Sequence, residues 1–183
     1  MSATPLARKA GLTVHVVSSV GWLGAVLMYL GLGLTAVTSD DVALLSAVYL
    51  AMDAASWTVL VPLALASLVT GITQSLVSSW GLSRHYWVIV KLALTGIATA
   101  VLLLYTQTLA VFADVAGRDA LGAAELSLLR GSSVVLHSGG ALLLLLITTA
   151  LAMYKPAGLT RRGQRYRHEA GLARLAQSAG STT

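Results

Sequence analysis

The sequence predicts an all-α integral membrane protein, a four-helix up-down bundle with both termini cytoplasmic, and two observations carry that prediction. Of its 183 residues, 56% are hydrophobic and only 10% are charged, with a mean hydropathy of +0.80, which is too apolar for a soluble domain of this size. The apolar residues also fall into four long runs, each sufficient for the ~20 residues that cross a bilayer.

The predicted spans are about 11–37, 57–79, 87–111 and 127–154. They form one domain over 1–157, with a basic cytoplasmic tail over 158–183. Arg8 and Lys9 precede the first run. That run is long for a signal-peptide core and has no convincing small-residue cleavage site, so a retained helix is expected. Ser39-Asp40-Asp41 breaks the pattern as a polar turn.

Residues 42–79 exceed one span. The part before Trp57, carrying Asp53, reads as a helical extension at or above the membrane surface, and Pro62 should bend the helix behind it. Trp80-Gly81-Leu82-Ser83-Arg84-His85-Tyr86-Trp87 reads as an interfacial turn of aromatics and positive charge. The third span carries Lys91 in its first turns. A polar loop with Asp114, Arg118, Asp119 and Glu125 leads to the fourth span, which Lys155-Pro156 closes. The tail holds Arg161, Arg162, Arg165, Arg167 and Arg174 and reads as a lipid-surface or partly disordered segment.

Orientation follows from cation placement. Arg8, Lys9, Arg84, Lys91, Lys155 and the five tail arginines fall on one side, and Arg118 and Arg130 on the other. Positive loops stay cytoplasmic, so the acidic loops face outward from a multi-pass protein of the cell membrane. The expected partners are the bilayer, anionic lipid at the basic tail, and a membrane protein or a second copy, with no nucleic acid. Absence of cysteine excludes disulfides, thiolate metal sites and covalent c-type haem attachment.

Chemistry centres on His15. Intramembrane ionisable groups are functional hypotheses by default, and His15 reads either as an axial metal ligand to a b-type haem or as a neutral histidine hydrogen-bonded to a neighbouring helix. Ser18, Ser19, Gly21 and Gly24 leave room beside it for another helix or a flat ligand. Lys91, at similar height, either pairs with haem propionates or snorkels to the surface. His85 in the turn below is a second inner candidate, or simply a headgroup residue.

At a rise of ~1.5 Å per residue, His137 lies roughly 25 Å above the inner face. His15 and His137 therefore cannot ligate one metal. His137, followed by Ser138-Gly139-Gly140, is level with Tyr105, Gln107 and Met28. It reads as a ligand in a second His–Met haem site or as a histidine bonded to Tyr105 or Gln107. Asp53 and Arg130 are placed to pair near the outer surface. Gly31-Leu32-Gly33-Leu34-Thr35-Ala36 imitates a dinucleotide fingerprint but has no strand before it. The first, third and fourth spans lack carboxylates, so no acidic proton pathway is expected, and an oligomeric transporter is disfavoured.

The spacing His15-x6-Trp22-x-Gly24 near the start of a first span resembles the bacterial membrane protoporphyrinogen oxidase family and the copper-resistance D superfamily. The resemblance to the oxidases implies that His15, Trp22 and the Lys91-Leu92 pair are counterparts of that family's features, over about a third of the chain. The histidine expected further along the lysine-bearing helix, near Tyr105, is absent here, and the basic tail is longer. The phrases Arg84-His85-Tyr86-Trp87-Val88-Ile89-Val90-Lys91-Leu92 and Tyr154-Lys155-Pro156-Ala157-Gly158-Leu159-Thr160 are similar to those of actinobacterial integral membrane proteins without an assigned activity.

The sequence thus leads to a bundle that binds haem b or a porphyrin at its inner face for a redox role. His15, Lys91 and Trp22 belong to that site, and His137 to an outer one. The alternative is a non-catalytic membrane subunit with structural histidines.

Overall fold

Runs of leucine, valine and alanine without internal breakers form helix wherever the backbone must satisfy its own hydrogen bonds. The computed structural model describes residues 4–77, 85–154, 156 and 158–180, and almost all of them are helical. In chain order the elements are α1 (Pro5–Thr38), α2 (Val42–Ala55), a π-helical turn (Ser56–Leu60), α3 (Val61–Val77), α4 (Tyr86–Ala116), α5 (Ala123–Leu129), α6 (Ser133–Tyr154) and α7 (Arg161–Gly180). Lys155 and the predicted interfacial turn up to Arg84 lie outside the described residues.

Four segments are long and apolar enough to cross a membrane: Leu6–Thr38, Val42–Leu76, Tyr86–Ala116 and Ala123–Tyr154. They pack as a ring. α1 lies mainly on α3 and α6, α2 and α3 lie on α4, and α4 lies on α6. Large apolar side chains point outward along every wall, including Val17, Val20, Leu104, Leu136 and Leu143, each more than 60% exposed. An apolar belt of that extent suits lipid and not water.

Inside the ring the core is aromatic and branched. Trp22, Tyr49, Leu45, Met52, Leu109, Leu129 and Val134 are essentially inaccessible. Tyr49 meets Phe112 edge-on, with ring centroids 5.4 Å apart, and its hydroxyl donates to the Leu129 carbonyl. Tyr29 donates likewise to the Met52 carbonyl. Each phenol thereby closes a backbone acceptor across the bundle while its ring fills the core.

The second segment departs from expectation. The stretch before Trp57, expected as a helical extension at or above the membrane surface, is helical and part of the core. Leu45, Val48, Tyr49 and Met52 are buried, and α2 packs along α4. Continuity through Pro62 is kept by the π turn, in which Val61 donates its N–H to the Ser56 carbonyl five residues back. Proline lacks an N–H and its ring crowds the carbonyl four residues earlier, so a wider turn just ahead of it relieves both defects.

The fourth segment is broken rather than continuous. α5 ends in a turn at Arg130, and the Gly131 N–H donates to the Leu128 carbonyl at 3.1 Å. A Cβ at Gly131 would lie 2.9 Å from that same oxygen, so the tight turn needs glycine. Arg130 pairs with Asp40, by its backbone carbonyl at 3.3 Å and its carboxylate at 3.6 Å. Among the described residues no ion pair joins it to Asp53, which corrects the expected partnership. Asp53 Oδ1 is instead buried without a hydrogen bond.

At the other end, His85 bridges to Leu159, and Tyr86 N–H donates to the Gly158 carbonyl at 3.3 Å. The start of α4 and the end of α6 are therefore tied together. Thr160 then caps α7 through its hydroxyl, which accepts from Gly163 N–H at 3.1 Å. The basic tail is thus helical, with Arg161, Arg162, Arg165 and Arg167 all exposed.

Candidate functional site

Small and polar residues placed four apart on α1 face a matching row on α3. Gly11 opposes Gln74, His15 opposes Thr70 and Gly71, Ser19 bonds Ser67 at 2.7 Å, and Gly21 opposes Leu63. Numbers rise along one row and fall along the other, so the two helices run antiparallel. Small side chains let the backbones approach, and the polar ones bond across the gap. Of the room expected beside His15, that at Ser19 and Gly21 is filled by α3, while Gly24 faces open space.

His15 stands in this seam with Nδ1 3.0 Å from Thr70 Oγ1. The threonine's single hydrogen is committed to the Ala66 carbonyl, and the Ser67 carbonyl is also within its reach, at 3.3 Å. Thr70 can therefore only accept from the ring, and the proton on Nδ1 belongs to His15. A neutral imidazole protonated at Nδ1 carries its free lone pair on Nε2, the arrangement that a fixed ligating histidine uses. Gly71 backs the ring closely, since a Cβ there would lie 3.2 Å from Cε1.

Lys91 is half-buried on α4, and among the described residues no carboxylate pairs with it. Trp22 is not in contact range of His15 by helix geometry, since seven residues place it ~10 Å further along α1. His85 engages the α6–α7 connection through the bridge to Leu159.

A second place lies deeper. A cavity of about 260 Å³ is bordered by Trp22, Tyr29, Leu60, Ala98, Tyr105 and His137, with Ser138 and Gly140 behind the histidine. His137 stacks on Tyr105, with ring centroids 4.0 Å apart and planes 19° from parallel. Its Nδ1 donates to the Ser133 carbonyl at 2.8 Å, while Tyr105 Oη bonds Ser133 Oγ at 3.1 Å. Of the hydrogen-bond alternatives expected for His137, the structure shows neither Tyr105 nor Gln107 as partner. Ser133, four residues back on its own helix, takes that role. Only the backbone register could reveal this.

The four residues singled out by sequence thus fall in different parts of the bundle. His15 lies in the α1–α3 seam and Lys91 on α4, and Trp22 and His137 border the cavity. Thr70, Gly71 and Ser67, which orient His15, carry no signal in the sequence beyond their small size. Among the described residues no three His, Asp or Glu side chains come together to hold a metal ion unaided. An axial ligand to a macrocycle, by contrast, requires one imidazole. Comparison with protein-family models, with characterised proteins and with solved structures found no match.

Proposed function

We propose that this multispanning protein binds a b-type haem or related porphyrin at the inner end of its bundle for a redox role, with His15 Nε2 as the axial ligand. The observation that supports it most is the Thr70 hydroxyl, which donates to the Ala66 carbonyl and so accepts from His15 Nδ1, leaving the ring's lone pair on Nε2. Histidines that ligate metal are fixed in this way by a hydrogen bond at the other ring nitrogen. Lys91 would supply a cation for propionate carboxylates, and among the described residues no carboxylate pairs with it. When bound, the haem iron would supply one-electron chemistry. The protein's part is to orient the imidazole, hold the charge and exclude water. The resemblance of His15, Trp22 and Lys91 to the membrane protoporphyrinogen oxidases points the same way. The bias of Arg8, Lys9, Lys91 and the tail arginines to one end of the chain's spans favours both termini on the cytoplasmic side of a cell membrane.

One observation favours a second reading. The His15 ring is packed against Gly71 and bonded to α3, which is also how a structural histidine joins two helices in a non-catalytic subunit. A visible spectrum separates the two. The protein is purified in detergent from a host supplied with haem precursor, oxidised and then reduced with dithionite. The haem reading expects a Soret band that shifts on reduction and is lost in His15→Ala. A folded but colourless protein overturns it.

A further inference from the structure

The cavity between α1, α4 and α6 is separate from the seam that holds His15, and its chemistry differs. Its wall is apolar and aromatic apart from one edge, where His137 and Ser138 stand. Ser138 is occupied, since its hydroxyl donates to the Val134 carbonyl at 2.6 Å. His137 is occupied on one side only. A carbonyl oxygen can only accept, so the Nδ1 bond to Ser133 fixes the ring proton on Nδ1 and leaves Nε2 an acceptor.

Among the described residues no donor reaches that nitrogen. Tyr105, the nearest phenol, lies under the imidazole face and is bonded to Ser133 Oγ. A bare imidazole acceptor in a segment built for lipid calls for a donor from elsewhere. The lip of the cavity carries Ile97, Val101 and Leu136, all exposed on the lipid-facing wall, so entry is from the membrane.

Size narrows the class. At about 260 Å³ the space is well above the ~150 Å³ apolar cavity that accommodates benzene. It has room for a two-ring molecule. Trp22, Tyr29 and the Tyr105–His137 stack offer aromatic surfaces to a flat guest.

We propose that this cavity is a binding site for a membrane-soluble two-ring aromatic alcohol of the hydroquinone class, its hydroxyl donating to His137 Nε2. The site does not depend on haem at His15. A saturated acyl chain would fill the volume but leave Nε2 unpaired, so it satisfies only half of the lining.

The test uses the full chain in detergent, with 1-naphthol as an air-stable probe and 1-methoxynaphthalene as the same rings without the donor. Binding is measured by flow dialysis against protein-free micelles. The wild type should prefer 1-naphthol by about tenfold, as one hydrogen bond warrants. His137→Leu should abolish the preference while holding the methoxy compound as the wild type does, which also shows that the variant is folded. Ala98→Leu, which fills the cavity, should lose both probes. Equal affinity for the two probes in the wild type, or a preference that survives in His137→Leu, overturns the proposal. So does probe binding unaffected by Ala98→Leu.

Discussion

Thr70 decides the chemistry of His15 because its hydroxyl has one hydrogen and spends it on Ala66. Thr70→Val keeps the shape and removes the acceptor, leaving the imidazole N–H unpaired in the seam. The variant should lose about 1 kcal/mol of stability, seen as a lower midpoint in thermal unfolding followed by circular dichroism. If haem is bound, its affinity should fall about tenfold, while Thr70→Ser retains both. An unchanged midpoint in Thr70→Val would show that the bond contributes nothing. The sequence singles out His15 but not Thr70, because a threonine in a hydrophobic run reads as filler until a neighbouring helix brings it within 3.0 Å of a ring nitrogen.

Helix packing in α1 depends on which glycines face a neighbour. A Cβ at Gly33 would come within 2.9 Å of Val134 Cγ1, a β-branched side chain that is itself 2% exposed and cannot rotate away. Gly33→Ala should therefore destabilise the α1–α6 contact by about 1–3 kcal/mol. Nothing lies near Gly24, so Gly24→Ala should be neutral or mildly stabilising through helix propensity. Thermal midpoints of the two variants in one detergent check the contrast, and equal behaviour would contradict the packing. The two glycines are indistinguishable in the sequence. The same limit explains α2, whose burial against Phe112 and Leu109 turns an expected surface extension into core. The break at Arg130–Ser132 falls inside the span expected over 127–154, where the polar run Arg130-Gly131-Ser132-Ser133 interrupts the apolar pattern.

Across the whole molecule, the ring of contacts and the ties at its two ends set the relation between loops. Arg130 and Asp40 meet at one end, and Tyr86 and Gly158 at the other. The cation bias is the argument for the proposed orientation in the membrane. Because the chain has no cysteine, single replacements report topology directly. Asp119→Cys in intact cells should react with a membrane-impermeant maleimide, and Arg167→Cys only after permeabilisation. The reverse pattern would invert the orientation argued from charge.

Length, apolarity and charge placement by themselves determined four membrane-compatible helices and the turns near Asp40 and Arg118. Those properties act locally, through backbone hydrogen bonds that a segment must satisfy within itself and through cations that avoid the bilayer. Tertiary structure alone decided that Asp40 and not Asp53 takes Arg130, that Thr70 meets His15, and that Trp22 and His137 border one cavity. Each of these depends on the rotation of one helix against another. That rotation is set by which small residues allow close approach, and it leaves no trace in the hydropathy of any single segment.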